Sequence, residues 1–217
     1  MKPTQERNGH TPYCPNGTLL NASRIKRDII VIGGSAGGIE VLRYLFSQLA
    51  SPFPAAIGIV LHRSPHGNVS LASILGRGSA LKIRDAEDGM RFEAGSAYLA
   101  PCDHHMRIEN GLITLNRGPK ENSSRPSVDH LFRSAAAYGR RVVAMLLTGG
   151  GDDGVDGMIA IKGAHGLGLV QDPNESLMPY MPINALRYDH VDGVVPLDSM
   201  APVLFSLATG KAVECTT

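Results

Sequence analysis

From about residue 28 onward, short solid apolar runs alternate with segments whose apolar residues recur every three or four positions. "DIIVIGG" (28–34) and "AAIGIVLH" (55–62) are rich in Ile and Val and end in turn-forming or polar residues. Runs of that length and composition are buried strands. Between them Ile39, Leu42, Leu45 and Leu49 make one apolar stripe of a helix. Strand, helix, strand is a crossover unit with parallel strands.

The middle of the chain changes pattern. "HMRIENGLITLN" (105–116) holds two alternating runs about Asn110-Gly111, a pair suited to the positive φ values of a tight hairpin turn. "RGPKENSSRPS" (117–127) is a polar loop, after which Val128, Leu131, Phe132 and Ala135 mark a helix with Asp129 in its first turn. "RVVAMLLTGGG" then predicts a strand over 142–148, "DGMIAIKGAHG" a helix and "LGLVQD" a strand. A short strand at "GVVPL" and a helix from about Ser199 to Gly210 complete an open, mainly parallel α/β sheet with one inserted antiparallel hairpin.

A chain of 217 residues suffices for one well-cored domain. Residues 1–27 are polar and broken by Pro and Gly, which predicts a disordered leader, a domain over 28–211 and a flexible tail over 212–217. Lys plus Arg total 21 against 20 acidic residues, so overall charge gives no reason to expect nucleic acid or an anionic membrane as partner. The three cysteines, Cys14, Cys102 and Cys215, are too few and too scattered for a disulfide framework, which suits a reducing cytoplasm. No apolar run reaches the length of a membrane span.

Three predicted strand ends carry reactive side chains: Ser35 after the first, His62 at the end of the second, and Asp152-Asp153 after the strand at 142–148. In open α/β sheets chemistry gathers at carboxyl ends of strands, which adjoin in space while distant in sequence. "GGSAGG" fits G-x-S-x-G at Gly33, Ser35 and Gly37, a strand-to-helix elbow that exposes a serine hydroxyl beside free helix N–H groups. A serine needs a base and the base an orienting carboxylate. His62 is preferred over His66 because the strand holds it. The order Ser35, Asp153, His190 is a weaker alternative, since His190 sits in a polar turn.

Gly149, Gly151 and Gly154 also have dinucleotide-fingerprint spacing, with Asp172 beyond as a ribose-binding acid. Asp152 and Asp153 would then face a pyrophosphate, with repulsion of about 4 kcal/mol per charge pair at close range. No cofactor is expected. Cys102, His104 and His105 cluster in "PCDHHM" without a second pair at ligand spacing, so a surface turn is expected there and no metal.

With these residues assembled, the chain from about Asp28 to Gly210 resembles the catalytic domain of CheB-type chemotaxis methylesterases. The resemblance is carried in order by "IGGSAGG", "LHRSPHG", "AEDGMRFEAGSAYLAPCDHHM", "RPSVDHLFRSAA", "LLTGGGDDGVDGM" and "MPINAL". It implies a doubly wound fold with Ser35 as nucleophile, His62 as general base and Asp153 orienting the imidazole. Ala36, Gly37 and Gly150 would line the oxyanion and substrate region. It further implies hydrolysis of glutamate methyl esters, with deamidation of glutamines as a second activity, on the signalling helices of methyl-accepting chemoreceptors.

Ala36, Gly150 and Asp152 stand where the family commonly has threonine, methionine and asparagine, and these departures motivate a non-catalytic binding module as the alternative. A small-molecule carboxylesterase is a third reading. The family's usual phosphorylatable receiver domain does not fit in the leader, so control by aspartyl phosphorylation within this chain is not expected and the upstream regulator is unknown.

Overall fold

The computed structural model describes residues 25–63, 70–188 and 191–213. His66, His190, Cys14 and Cys215 therefore lie outside the described residues, as do most of the expected leader and tail. Arg27 and Val213, inside those expected end segments, are both buried.

The first crossover forms as the pattern predicts: β1 (Ile29–Gly34), α1 (Gly38–Gln48) and β2 (Ala56–Leu61). Every residue of β1 and of β2 is buried, which is why neither shows polar alternation. A short helix α2 (Leu71–Gly76) and strands β3 (Lys82–Asp85) and β4 (Ser96–Leu99) follow. The hairpin strands are β5 (His105–Glu109) and β6 (Leu112–Asn116), and Asn110 and Gly111 at its tip have φ of 51° and 77°. Then come α3 (Val128–Ala136), β7 (Val142–Leu146), α4 (Val155–Gly163) and β8 (Leu167–Gln171). The chain closes with α5 (Tyr180–Arg187), β9 (Gly193–Val195) and α6 (Leu197–Thr209).

Seven strands form one wholly parallel sheet in the order β3-β4-β2-β1-β7-β8-β9, and the hairpin stands apart as a two-stranded sheet. Alternate residues of β1 face opposite ways. Ile30 and Ile32 join Leu42 and Leu45 of α1 and Leu204 of α6 in one core. Ile29 and Val31 join Val128 and Phe132 of α3 and Met158 of α4 in the other. Helices thus cover both faces, which is the doubly wound arrangement.

The chain leaves β1 toward β2 on one side, and its later half begins with β7 on the other. The carboxyl end of β1 is therefore the switch point where a doubly wound sheet opens a crevice. Ser35 is the first residue beyond it.

Candidate active site

Strand pairing places the three predicted strand ends side by side. Gly34 pairs with Leu61 in the β1–β2 ladder, and the His62 N–H donates to the Gly34 carbonyl at 3.0 Å. On the other side the Leu147 N–H donates to Gly33, and the Ser35 N–H donates to the Thr148 carbonyl at 2.9 Å. Ser35 thus sits between the backbone of His62 and that of Thr148, about one strand spacing, ~4.8 Å, from each.

The serine loop keeps this position for reasons visible in its glycines. Gly37 has φ of 83° and is the N-cap of α1, a conformation costly to any residue with a Cβ. Gly33 lies so close to α3 that a Cβ there would stand 2.3 Å from Cγ1 of Val128. Thr148 ties the loop from outside: its hydroxyl donates to the Ala36 carbonyl at 3.0 Å and accepts from the Met178 N–H at 2.9 Å. Ala36 is exposed, and the N–H groups of Ala36, Gly37 and Gly150 have no acceptor among the described residues. The Ser35 hydroxyl is likewise without a hydrogen bond among the described residues.

His62 Nε2 lies 2.7 Å from Oδ2 of Asp153. The carboxylate accepts, so Nε2 is the donor in this pair, and in the neutral ring Nδ1 is the acceptor. The imidazole is 18% exposed and the carboxylate 4%, so the carboxylate is shielded while the ring reaches the crevice. Asp153 also accepts from the Ser127 hydroxyl at 2.8 Å, the Val128 N–H at 2.8 Å and the Asp129 N–H at 3.1 Å. These are the orphan donors at the start of α3, whose own N-cap side chain supplies no capping bond. Burial alone would push the Asp153 carboxyl up. The bonds from His62, Val128, Asp129 and Ser127 more than reverse that and hold it below the usual carboxylate range.

Asp129 returns the arrangement. From the first turn of α3 its Oδ1 accepts the N–H groups of Gly154 and Gly157 at 3.0 and 2.7 Å, at the start of α4. Its Oδ2 accepts from the Asn122 amide at 2.9 Å. The start of α3 is therefore capped by the acid just before α4, and the start of α4 by an acid in the first turn of α3. Burial raises the Asp129 carboxyl to about 7; the Gly157 N–H opposes this, and the charge of Asp153 adds to it.

A further layer holds Ser127. Its N–H donates to Nδ1 of the fully buried His105 at 3.2 Å, so His105 must carry its proton on Nε2, which donates to the Pro119 carbonyl at 2.9 Å. His130 stacks on this ring at 3.8 Å between centroids. His105 was expected in a surface turn; β5 instead begins on it and turns it into the core beneath α3.

The remaining acids near the glycine loop have local partners. Asp172 caps the turn at 173–175 by accepting from the Asn174 N–H at 2.9 Å, and Asp153 turns inward to α3. Asp152 is exposed on that loop. His104 Nδ1 bonds the Cys102 carbonyl at 3.0 Å, and no group of three metal-binding side chains occurs among the described residues. No helix among them is long and apolar enough to cross a membrane.

Comparison with known proteins places this geometry. Residues 30–204 match the family model for CheB methylesterase. A protein-glutamate methylesterase/protein-glutamine glutaminase of Methanosarcina mazei is 40% identical over 184 residues, 81% of this chain and 50% of that protein. Its counterpart in Salmonella choleraesuis is 35% identical over 212 residues, 94% of this chain and 60% of that protein. The chain thus spans about half the length of the curated relatives it matches. The crystal structure of the Thermotoga maritima CheB methylesterase catalytic domain superposes with a TM-score of 0.79 at 32% identity, over 84% of this chain and all of that one. With most of its length matching the family model and its fold matching that catalytic domain, this chain belongs to the CheB methylesterase family.

Proposed function

We propose that this protein is a serine esterase that removes methyl groups from glutamate γ-methyl esters on a methyl-accepting chemoreceptor or similar signalling protein. One observation carries the reading: the β1–β2 register sets Ser35 beside His62, whose far nitrogen is already bonded to a buried carboxylate. That is the layout of a nucleophile, a base and an orienting acid.

In this reading Nδ1 of His62 takes the Ser35 proton as Oγ attacks the ester carbonyl. The developing oxyanion faces the free N–H groups of Ala36 and Gly37 at the start of α1, with Gly150 across the crevice. Asp153 steadies the imidazolium. The imidazolium then protonates departing methanol, and water, deprotonated by the same nitrogen, cleaves the acyl-serine to leave a glutamate carboxylate and free Ser35. The relatives' names pair this activity with protein-glutamine glutaminase, and the same attack on a γ-carboxamide would release ammonia.

Ser35→Ala, made in the full chain, is expected to abolish methanol release from a methylated receptor fragment while leaving the melting temperature near wild type, since the hydroxyl holds nothing among the described residues. Wild-type rates in that folded variant would refute the proposal. A serine-directed covalent probe should label wild type stoichiometrically at Ser35. Absence of labelling would favour the binding-module alternative.

A further inference from the structure

Ala36 and Gly37 present two free N–H groups beside Ser35, and each is aimed by the carbonyl of its own peptide unit. A trans peptide is planar, and its C=O and N–H point in opposite directions. The Ser35 carbonyl accepts from the Gly38 N–H at 2.9 Å, so the start of α1 fixes the unit that carries the Ala36 N–H. The next unit has no such anchor in the helix. Among the described residues its Ala36 carbonyl accepts only from the Thr148 hydroxyl, at 3.0 Å. The Gly37 N–H is thereby turned away from Thr148 and off the β7 side of the serine loop.

Thr148 is itself held rigidly. It is fully buried, its N–H donates to Oε1 of the fully buried Gln171 at 2.9 Å, and its carbonyl accepts the Ser35 N–H at 2.9 Å. Its hydroxyl accepts the Met178 N–H at 2.9 Å and has one proton for two carbonyls, Ala36 at 3.0 Å and Met178 at 3.2 Å. The Met178 carbonyl is already supplied by the Gly149 N–H at 2.8 Å, whereas that of Ala36 has no other donor among the described residues. The proton therefore belongs to Ala36. Glycine at 37 makes this choice matter. A flip of the Ala36–Gly37 peptide would carry φ of Gly37 from 83° to the negative side, which glycine adopts as readily, so residue 37 does not itself hold the peptide.

We propose that Thr148 is a positioning residue for the oxyanion step: by giving its one hydroxyl proton to the Ala36 carbonyl, it keeps the Gly37 N–H aimed where the negative charge develops. The inference rests on the esterase reading and adds to it the group that keeps one oxyanion donor in place. Thr148 acts only through the peptide it holds. Without the hydroxyl, the Ala36 carbonyl can rotate into the space its partner N–H faced, setting an acceptor where the oxyanion needs a donor. The cost falls on the transition state, because an oxyanion gains far more from an aimed N–H than the ester carbonyl before it. The Thr148 methyl has a separate duty: it packs against Gly37, where a Cβ would stand 3.1 Å from Cγ2. Valine keeps a methyl there and removes the hydroxyl; serine does the reverse.

Methanol release from a methylated receptor fragment, measured for the full chain and both variants, tests this. Reactive serines in each sample are titrated to completion with a serine-directed covalent probe, so partial loss of folded protein cancels. Thr148→Val is expected to lower kcat per titrated site by ~10–100-fold with KM within ~2-fold of wild type. The inhibition constant of an alkylboronic acid, which forms a tetrahedral anionic adduct with an active serine, should rise in step with the fall in kcat. Thr148→Ser should keep kcat within ~3-fold of wild type, because it retains the proton donor. The inference is overturned by a Thr148→Val kcat within ~2-fold of wild type, by a loss confined to KM, or by Thr148→Ser as slow as Thr148→Val. Ser35→Ala turning over the same fragment at the wild-type rate would instead remove the esterase reading.

Discussion

Replacing Asp153 by alanine and by asparagine separates the two duties of that side chain. Alanine removes every acceptor at once. The N–H groups of Val128 and Asp129, both in fully buried residues, then lose their partner at the start of α3. At about 1–3 kcal/mol for each buried donor left unmet, the protein should lose roughly 2–6 kcal/mol, a large part of a domain's usual stability. Asparagine keeps the volume but has one oxygen where the carboxylate has two. With its oxygen toward His62, its NH2 meets the Asp129 N–H; turned the other way, the NH2 meets the Val128 N–H and Nε2 of His62.

Either orientation strands one backbone donor, a loss of about 1–3 kcal/mol. The second also forces Nε2 to accept, which moves the imidazole proton to Nδ1, the nitrogen assigned to Ser35. In both, the charge that steadies the imidazolium is gone. The expected result is a folded Asp153→Asn enzyme whose kcat for methanol release is down ~10³–10⁴-fold, about 4–5 kcal/mol of barrier. Urea unfolding alongside a methanol assay on matched samples checks both halves. Asp153→Asn within 10-fold of wild-type kcat would refute the orienting role. Asp153→Ala within 1 kcal/mol of wild-type stability would refute the capping role.

Other substitutions probe the same frame. Asp129 has its carboxyl raised to about 7, so its contribution to stability is fully present below the ordinary carboxylate range and is lost as pH climbs through about 7. Asp129→Asn keeps an oxygen for Gly154 and Gly157 and should flatten the fall in unfolding free energy between pH 4 and 8, by an amount on the order of 2–4 kcal/mol. An unchanged slope would show that Asp129 is not the group responsible. Gly157→Ala would bring a Cβ to 2.4 Å from Cβ of Phe132, forcing α3 and α4 apart. A loss of about 1–3 kcal/mol in denaturant unfolding is expected, with activity falling as Asp153 is displaced. Gly149→Ala sets a Cβ 2.8 Å from Cβ of Ser35 and 2.0 Å from Sδ of Met181. The Met181 side chain can swing away but the serine cannot, so kcat should fall by more than the accompanying loss of stability explains.

Much of this was legible in the apolar pattern. Short, nearly unbroken apolar runs marked β1, β2, β7 and β8, because a strand buried on both faces has little need of polar residues. Strands β3 and β4 were missed for opposite reasons: "KIRD" is mostly exposed at the sheet edge, and "SAYL" is only four residues long. Helix α5 escaped because Pro182 interrupts its pattern and its exposed flank is not polar. At the candidate site, strand-end logic offered His62 with either Asp152 or Asp153, the family resemblance singled out Asp153, and the structure brings His62 and Asp153 together. Asp129 was visible only as a charge suited to its own helix's dipole. Its service to α4, like that of Ser127 and His105 to Asp153, depends on which helix lies beside which, and no local spacing records that.

The exchange of acids between α3 and α4 means that neither helix can fray from its start alone, since each opening first strips a cap from the other. Amide protons at Val128, Asp129, Gly154 and Gly157 should accordingly swap with solvent as a single slow group. The imidazole's anchor is thereby insulated from the mobility usual in surface loops: to lose it, the molecule must unlatch two helices together.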